Sequence, residues 1–312
     1  MIALVIVLVV LILALLFAYL IAARFAKIVA LPQTDDYEKT RKDQLERRGF
    51  DLLSVLENHK VEEFTYKSEF GYDIYGRIVR ADDKVKFADG RQRAVILSHG
   101  WTSNHVNMLK YGKVYQELGF SLVCFDHRYH GRSDRSVNCT MGLYESKDLV
   151  GLGRYVRQFF PEDTVWGIQG ESMGAATVML AAPQMDWLSF ACEDCGYSSV
   201  RAEMAANLEM KKLPRFPILN MGGAILKHRY GLDMDKVDAV KAVSETNIPM
   251  LFCHGDSDTF VPTRMVYDVY NAKKDKKRIQ LFEGSEHADS IWDHTDQYRQ
   301  VLKSFLEEYK II

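Results

Sequence analysis

The sequence predicts an α/β fold: a mostly parallel central sheet flanked by helices, with a small helical cap inserted late in the chain and an apolar helix in front. Three observations carry this. From residue 94 onward, short continuous apolar runs alternate with amphipathic stretches, the pattern of buried parallel strands covered on both faces. One of those runs, Val165 to Gln169, feeds into Gly170-Glu171-Ser172-Met173-Gly174, and a series of small helix formers follows at once. Finally, Ile2 to Ala23 holds no charged residue.

That first stretch would form about 33 Å of helix, enough to cross a bilayer core, so residues 1–27 are expected to be a transmembrane anchor. A cleaved export signal would want a charged start and a shorter apolar region, and only Met1 precedes this one. The nearest charges, Arg24 and Lys27, lie on the far side with Lys39, Arg41, Lys42, Arg47 and Arg48 beyond. The positive-inside bias then places the rest of the chain, as a single-pass membrane protein, on the cytoplasmic face, with an extracytoplasmic domain as the alternative. Residues 28–60 are charged, with apolar residues at mixed helical spacing, and are expected to be a juxtamembrane helical linker.

The globular domain is expected over 61–312. Phe64 to Val79 alternates apolar and polar residues around Gly71 and Gly76, suggesting antiparallel strands. Strands follow at Ala94–Ser98, Ser121–Phe125, Val165–Gln169, Leu188–Glu193, Pro249–Cys253 and Arg278–Phe282. Helices are expected at Val106–Leu118, Tyr144–Phe160, from Met265 and over Ser290–Tyr309. One segment, about 198–246, breaks the alternation. It is rich in Met, Leu and Lys, is interrupted by Pro214 and Pro217, and is expected to be the cap.

Composition removes several function classes. The net charge of −2 gives no global field for nucleic acid, so no nucleic-acid partner is expected. Five cysteines, mostly inside apolar runs, argue against a disulfide framework, and Cys192-x-x-Cys195 has no second pair to complete a zinc site. With no phosphate loop, metal cluster or nucleotide fingerprint, neither cofactor nor metal is expected. The Lys273–Arg278 basic run is expected to be a solvated helix terminus.

Chemistry concentrates around Ser172. A strand, tight turn and helix would hold its hydroxyl out as a nucleophile, while the glycines let neighbouring backbone approach. A serine needs a general base, and the base an orienting acid. Downstream, one strand ends in a turn offering Asp256 and Asp258, and another in a turn offering His287. His294 falls within a helix, and Glu171 is expected to be screened by solvent.

These residues resemble the α/β-hydrolase family over about Phe64 to Tyr309. The motifs are His99-Gly100-Trp101 after a strand, Asp126-x-Arg128-x-x-Gly131-x-Ser133, the Gly170–Gly174 elbow, and the Asp258 and His287 turns, in that order. The likeness is greatest to membrane-anchored bacterial serine hydrolases of the serine aminopeptidase and monoglyceride lipase types. Ala175 departs from the pattern, where many members have a second glycine. The resemblance implies Ser172 as nucleophile, His287 as base and Asp258 rather than Asp256 as acid, with the backbone N–H groups of Trp101 and Met173 as the oxyanion hole. The implied function is a serine esterase acting on a small-molecule acyl substrate. Peptidase, amidase or thioesterase activity, or a catalytically silent binding protein, are the alternatives. Apolar cap residues, Met204, Leu208, Met210, Phe216 and Leu226 among them, are expected either to line an acyl pocket or to pack the cap onto the sheet.

Overall fold

The computed structural model describes every residue of the chain except Asp83, Lys84 and Lys86. Eight strands form one sheet: β1 (Val61–Lys67), β2 (Asp73–Val79), β3 (Arg93–Ser98), β4 (Ser121–Phe125), β5 (Val165–Glu171), β6 (Phe190–Asp194), β7 (Met250–Gly255) and β8 (Lys277–Phe282). Their order is β1-β2-β4-β3-β5-β6-β7-β8. Strand β2 runs antiparallel to both β1 and β4, and every other pairing is parallel. Strands β3 to β7 are buried throughout, which is why they read as continuous apolar runs.

The helices are α1 (Ile2–Ala30), α2 (Tyr37–Arg48), α3 (Leu109–Glu117), α4 (Glu145–Val156), α5 (Met173–Ala181), α6 (Val200–Met210), α7 (Ile218–Tyr230), α8 (Ala239–Glu245), α9 (Arg264–Ala272), α10 (Ser290–Asp293) and α11 (Thr295–Glu308). Two apolar layers cover the sheet. One joins Ile96, Ile168 and Phe252 to Leu149, Leu152, Val178 and Val266 from α4, α5 and α9. The other joins Val95, Leu97 and Leu251 to Tyr111, Val114, Leu302 and Phe305 from α3 and α11.

Helix α1 is apolar and long enough to cross a membrane, and its first two-thirds touch little else in the chain. It continues past the expected boundary at residue 27 to Ala30, and its last two turns are packed rather than free. Ala22, Ala26, Val29 and Ala30 are buried against α7 and its surroundings.

The segment 28–60, expected to be a linker outside the domain, lies on it. Asp36 caps α2 by accepting from Lys39 N, and Gly49 ends it in the left-handed region. Arg41 pairs with Asp51, Arg48 reaches Asp289 and Asp293, and Leu52 and Val55 enter the core. The cap is also shorter than expected. Helices α6 and α7 form it, whereas α8 belongs to the sheet layer through Ala239 and Val243. Lys273, read as part of a solvated terminus, is instead buried with its ammonium donating to the carbonyls of Thr246 and Asp275.

Candidate active site

Ser172 sits between β5 and α5 with φ 55° and ψ −116°, a left-handed backbone unusual for a residue with a Cβ. The flanking glycines explain how the turn closes. A Cβ at Gly170 would collide with the carbonyl of Gly174, and one at Gly174 with the carbonyl of Ser98. Ser172 N donates to Asp194 O at 2.8 Å, which pins the turn to β6.

His287 lies in the loop after β8, where its Nε2 is 3.0 Å from Ser172 Oγ and its Nδ1 is 2.7 Å from Asp258 Oδ2. The carboxylate fixes the tautomer: Nδ1–H donates to Asp258, leaving Nε2 to accept from the serine hydroxyl. Asp258 is buried after β7, and its Oδ1 accepts the N–H groups of Phe260 and Val261 at 2.9 Å each. His254 Nε2 approaches Oδ2 at 3.3 Å. Burial alone would raise this carboxyl, but hydrogen bonds from His254 and His287 and the charges on both rings outweigh it and hold it at about 2. Asp256 plays a different part. It is exposed, and its Oδ1 accepts the Gly284 N–H at 2.7 Å, bracing the β8 turn without touching His287.

The turn His99-Gly100-Trp101 lies against Ser172, since a Cβ at Gly100 would come within 3.3 Å of Ser172 Cβ. Among the described residues, the backbone N–H groups of Trp101 and Met173 have no protein acceptor. Nearby histidines are structural. His99 accepts the His127 N–H on Nε2, His127 bonds Ser98 Oγ, and His130 bonds the Arg128 carbonyl. Burial lowers all three, His99 to about 3 and His127 well below its ordinary value, so neither of these two is a proton carrier near neutrality. His294 bonds the Glu283 carbonyl between α10 and α11.

Residues that sequence reasoning missed stand behind the serine. Glu171, expected to be screened by solvent, is buried. It takes Asn107 Nδ2 at 3.0 Å, lies 2.9 Å from the Tyr111 hydroxyl and pairs with Lys110 Nζ at 2.5 Å. Lys110 also donates to the Ala288 carbonyl at 3.3 Å, linking the elbow to the histidine loop. A lysine on the apolar face of α3, between Leu109 and Tyr111, was the available signal.

The five cysteines are free and buried. Cys195 Sγ, Asp258 and His287 place ligand-capable atoms within 4.8 Å of one another. This set does not suit a metal: burial pushes the thiol well above its ordinary value, and both nitrogens of His287 are already engaged.

A tight Gly-x-Ser-x-Gly turn between a strand and a helix of a mostly parallel eight-stranded sheet defines the α/β-hydrolase class, and the comparisons agree. The profile of the alpha/beta hydrolase fold matches residues 93–186. YqkD of Bacillus subtilis strain 168, an uncharacterized protein, is 30% identical over 276 residues, 86% of this chain and 88% of its own. YfhR of Escherichia coli K12, also uncharacterized, is 23% identical over 70% of this chain and 72% of its own. Among solved structures, the Pyrococcus furiosus esterase Pf2001 superimposes with a TM-score of 0.65 at 18% identity, covering 82% of this chain and 93% of the esterase. A Mycobacterium tuberculosis puromycin-hydrolyzing peptidase does so with a TM-score of 0.64 at 14% identity, over 80% of this chain and 39% of the peptidase. The chain belongs to the α/β-hydrolase family.

Proposed function

We propose that the protein is a membrane-tethered serine hydrolase that cleaves carboxylic esters through a covalent acyl-enzyme. The observation that carries this reading is the hydrogen-bond chain from Ser172 through His287 to Asp258, at 3.0 and 2.7 Å, on a serine held at φ 55°. His287 Nε2 takes the hydroxyl proton as Ser172 Oγ attacks the carbonyl carbon, and Asp258 stabilises the imidazolium. The tetrahedral oxyanion is received by the N–H groups of Met173 and Trp101. His287 returns its proton to the leaving oxygen as the ester C–O bond breaks and the alcohol departs. Water then gives a proton to His287 as its oxygen attacks the acyl carbon, and when the bond from that carbon to Ser172 Oγ breaks His287 returns the proton to Oγ, which releases the acid and restores Ser172.

The ester reading is favoured by the apolar cluster beside the elbow, where Met173 packs with Met141, Met204, Leu226, Val261 and Met265. An amidase or peptidase reading draws on the structural likeness to peptidases. Helix α1 serves as the membrane span, with the catalytic domain on the cytoplasmic face by the positive-inside bias.

The test is labelling by a fluorophosphonate probe, followed by an ester and aminoacyl amide panel. We expect Ser172→Ala to abolish labelling while the fold survives, and short-to-medium acyl esters to turn over faster than amides. Full labelling of the variant would refute the nucleophile, and faster amide turnover would refute the substrate class. Protease added to intact cells should spare the domain, and its digestion there would overturn the topology.

A further inference from the structure

The cap and α1 meet at a defined height along the helix. Gly222 of α7 faces the α1 backbone, where a Cβ would make ordinary contact with the Ala22 carbonyl at 3.8 Å. Leu208 and Ile218 are buried with Ala22, and Leu213 packs into the same cluster as Ala18 and Ile21. Ala18 lies about 8 Å inside the uncharged stretch that ends at Ala23, and Arg24 is the first charge that follows. The loop between α6 and α7 is therefore level with the last turn and a half of the apolar span.

That loop has a surface suited to its height. Phe216 is 77% exposed and Met210 48%, so these two neither line a pocket nor pack the cap as their sequence suggested; they are the two most exposed large apolar side chains outside α1 among the described residues. Lys211, Lys212 and Arg215 are exposed between them, and among the described residues only Arg215 of the three is paired with an acidic neighbour, Glu209. Apolar tips flanked by long cationic side chains are what a bilayer boundary accommodates, with the chains buried to the carbonyl level and the ammonium groups among phosphates.

We propose that the end of α6 and the loop to α7, Met210 to Pro217, are a second membrane contact, seated at the boundary between headgroups and hydrocarbon of the bilayer that α1 crosses. This seating places Met210 and Phe216 in the apolar boundary and Lys211 and Lys212 against anionic headgroups. This rests on the membrane reading of α1. A bilayer is favoured over a protein partner because the patch is continuous with the span and lies at its depth.

The full chain is reconstituted in vesicles of phosphatidylcholine and phosphatidylglycerol, with an environment-sensitive fluorophore on Phe216→Cys. The native thiols are buried, and Asp296→Cys on α11, where the side chain is 86% exposed, is the comparator. The label at 216 is expected to be quenched several-fold more than that at 296 by lipids carrying a shallow nitroxide, and to be shielded from aqueous iodide. Equal iodide quenching at both positions, in chains that resist carbonate extraction, overturns the loop contact and leaves the anchor standing. Shielding from iodide without lipid quenching means a protein partner or second copy and also overturns it. Release by carbonate fells anchor and loop together. As a second reading, Met210→Ser/Phe216→Ser is expected to slow hydrolysis of a vesicle-borne ester about tenfold while a water-soluble short-chain ester stays within twofold. Equal losses on both would count against the proposal.

Discussion

The carboxyl edge of the sheet and the seam between α1 and α7 are held by different kinds of force. At the sheet edge the carboxylates around Ser172 are held by directed bonds. Asp258 accepts two backbone N–H groups and faces two imidazoles, and Glu171 is held by Asn107, Tyr111 and Lys110. At the seam, Ala22 and Ala26 meet α7 through contacts that any small side chain could make, anchored where Trp101 Nε1 donates to the Val29 carbonyl at 3.3 Å. Directional bonds specify residue type and leave motifs. Shape complementarity specifies only size, so a seam can be well packed and leave no mark in a sequence.

The comparison is most exposed at the acid. Asp258→Asn should lower kcat by about 10⁴-fold, because an amide stabilises the wrong imidazole tautomer. Asp256→Asn, which only weakens the Gly284 brace, should cost less than about tenfold. Steady-state kinetics on one ester checks both, and the reverse ranking would move the acid to Asp256.

Next in size is the buried pair behind the elbow. Lys110→Met leaves the Glu171 carboxylate buried without its cation, a change that costs about 3–5 kcal/mol in stability, and it cuts the link to the Ala288 carbonyl. The variant should lose stability by that order and kcat by about 10–100-fold through a displaced His287. Adding Glu171→Gln should restore most of the stability but not the kcat. Denaturant melts with parallel kinetics separate the two, and recovery of both together would show that Lys110 does not position the histidine loop.

The smallest effect lies in the cap. Glu203 on α6 is buried with Asn207 Nδ2 at 2.6 Å, and burial pushes its carboxyl up to about 8. A carboxyl raised in the folded state adds stability that is complete below its ordinary range near 4.5 and is lost as pH climbs through 8. Glu203→Gln should match the parent at pH 5 and exceed it at pH 9 by about 1–3 kcal/mol. Melting curves across that range test it, and a constant gap would show that Glu203 does not titrate with folding.

Legibility followed the same division. The elbow, the succession of strands along the chain and the turns bearing Asp258 and His287 could be read because tight turns demand glycine and buried strands demand uninterrupted apolar runs. Glu171 was misread because its partners arrive from α3 and the turn just before it, 60 and more residues earlier, and a lone acid beside a serine carries no trace of them. The segment 28–60 was misread because its charge suggested solvation, yet its few apolar residues are the ones that dock. Leu52 and Val55 fill the core, and Tyr37 donates to Asp126 within the Arg128 loop. The cap's end was placed too late because α8 is too short for its pattern to show which layer it joins.

The firm attachment at Val29 and Ala30 has a mechanical consequence. Trp101 bonds the Val29 carbonyl, and Cys139 N donates to the Ala30 carbonyl at 2.9 Å, so α1 enters the domain as a strut and not as a tether. With α1 in a bilayer as proposed, its tilt would pass directly to the turn that carries Trp101. A mismatch between the apolar length of α1 and the hydrocarbon thickness biases that tilt. The lipid composition around the protein would then act on catalysis as an orienting variable, separate from any role as a reservoir of substrate.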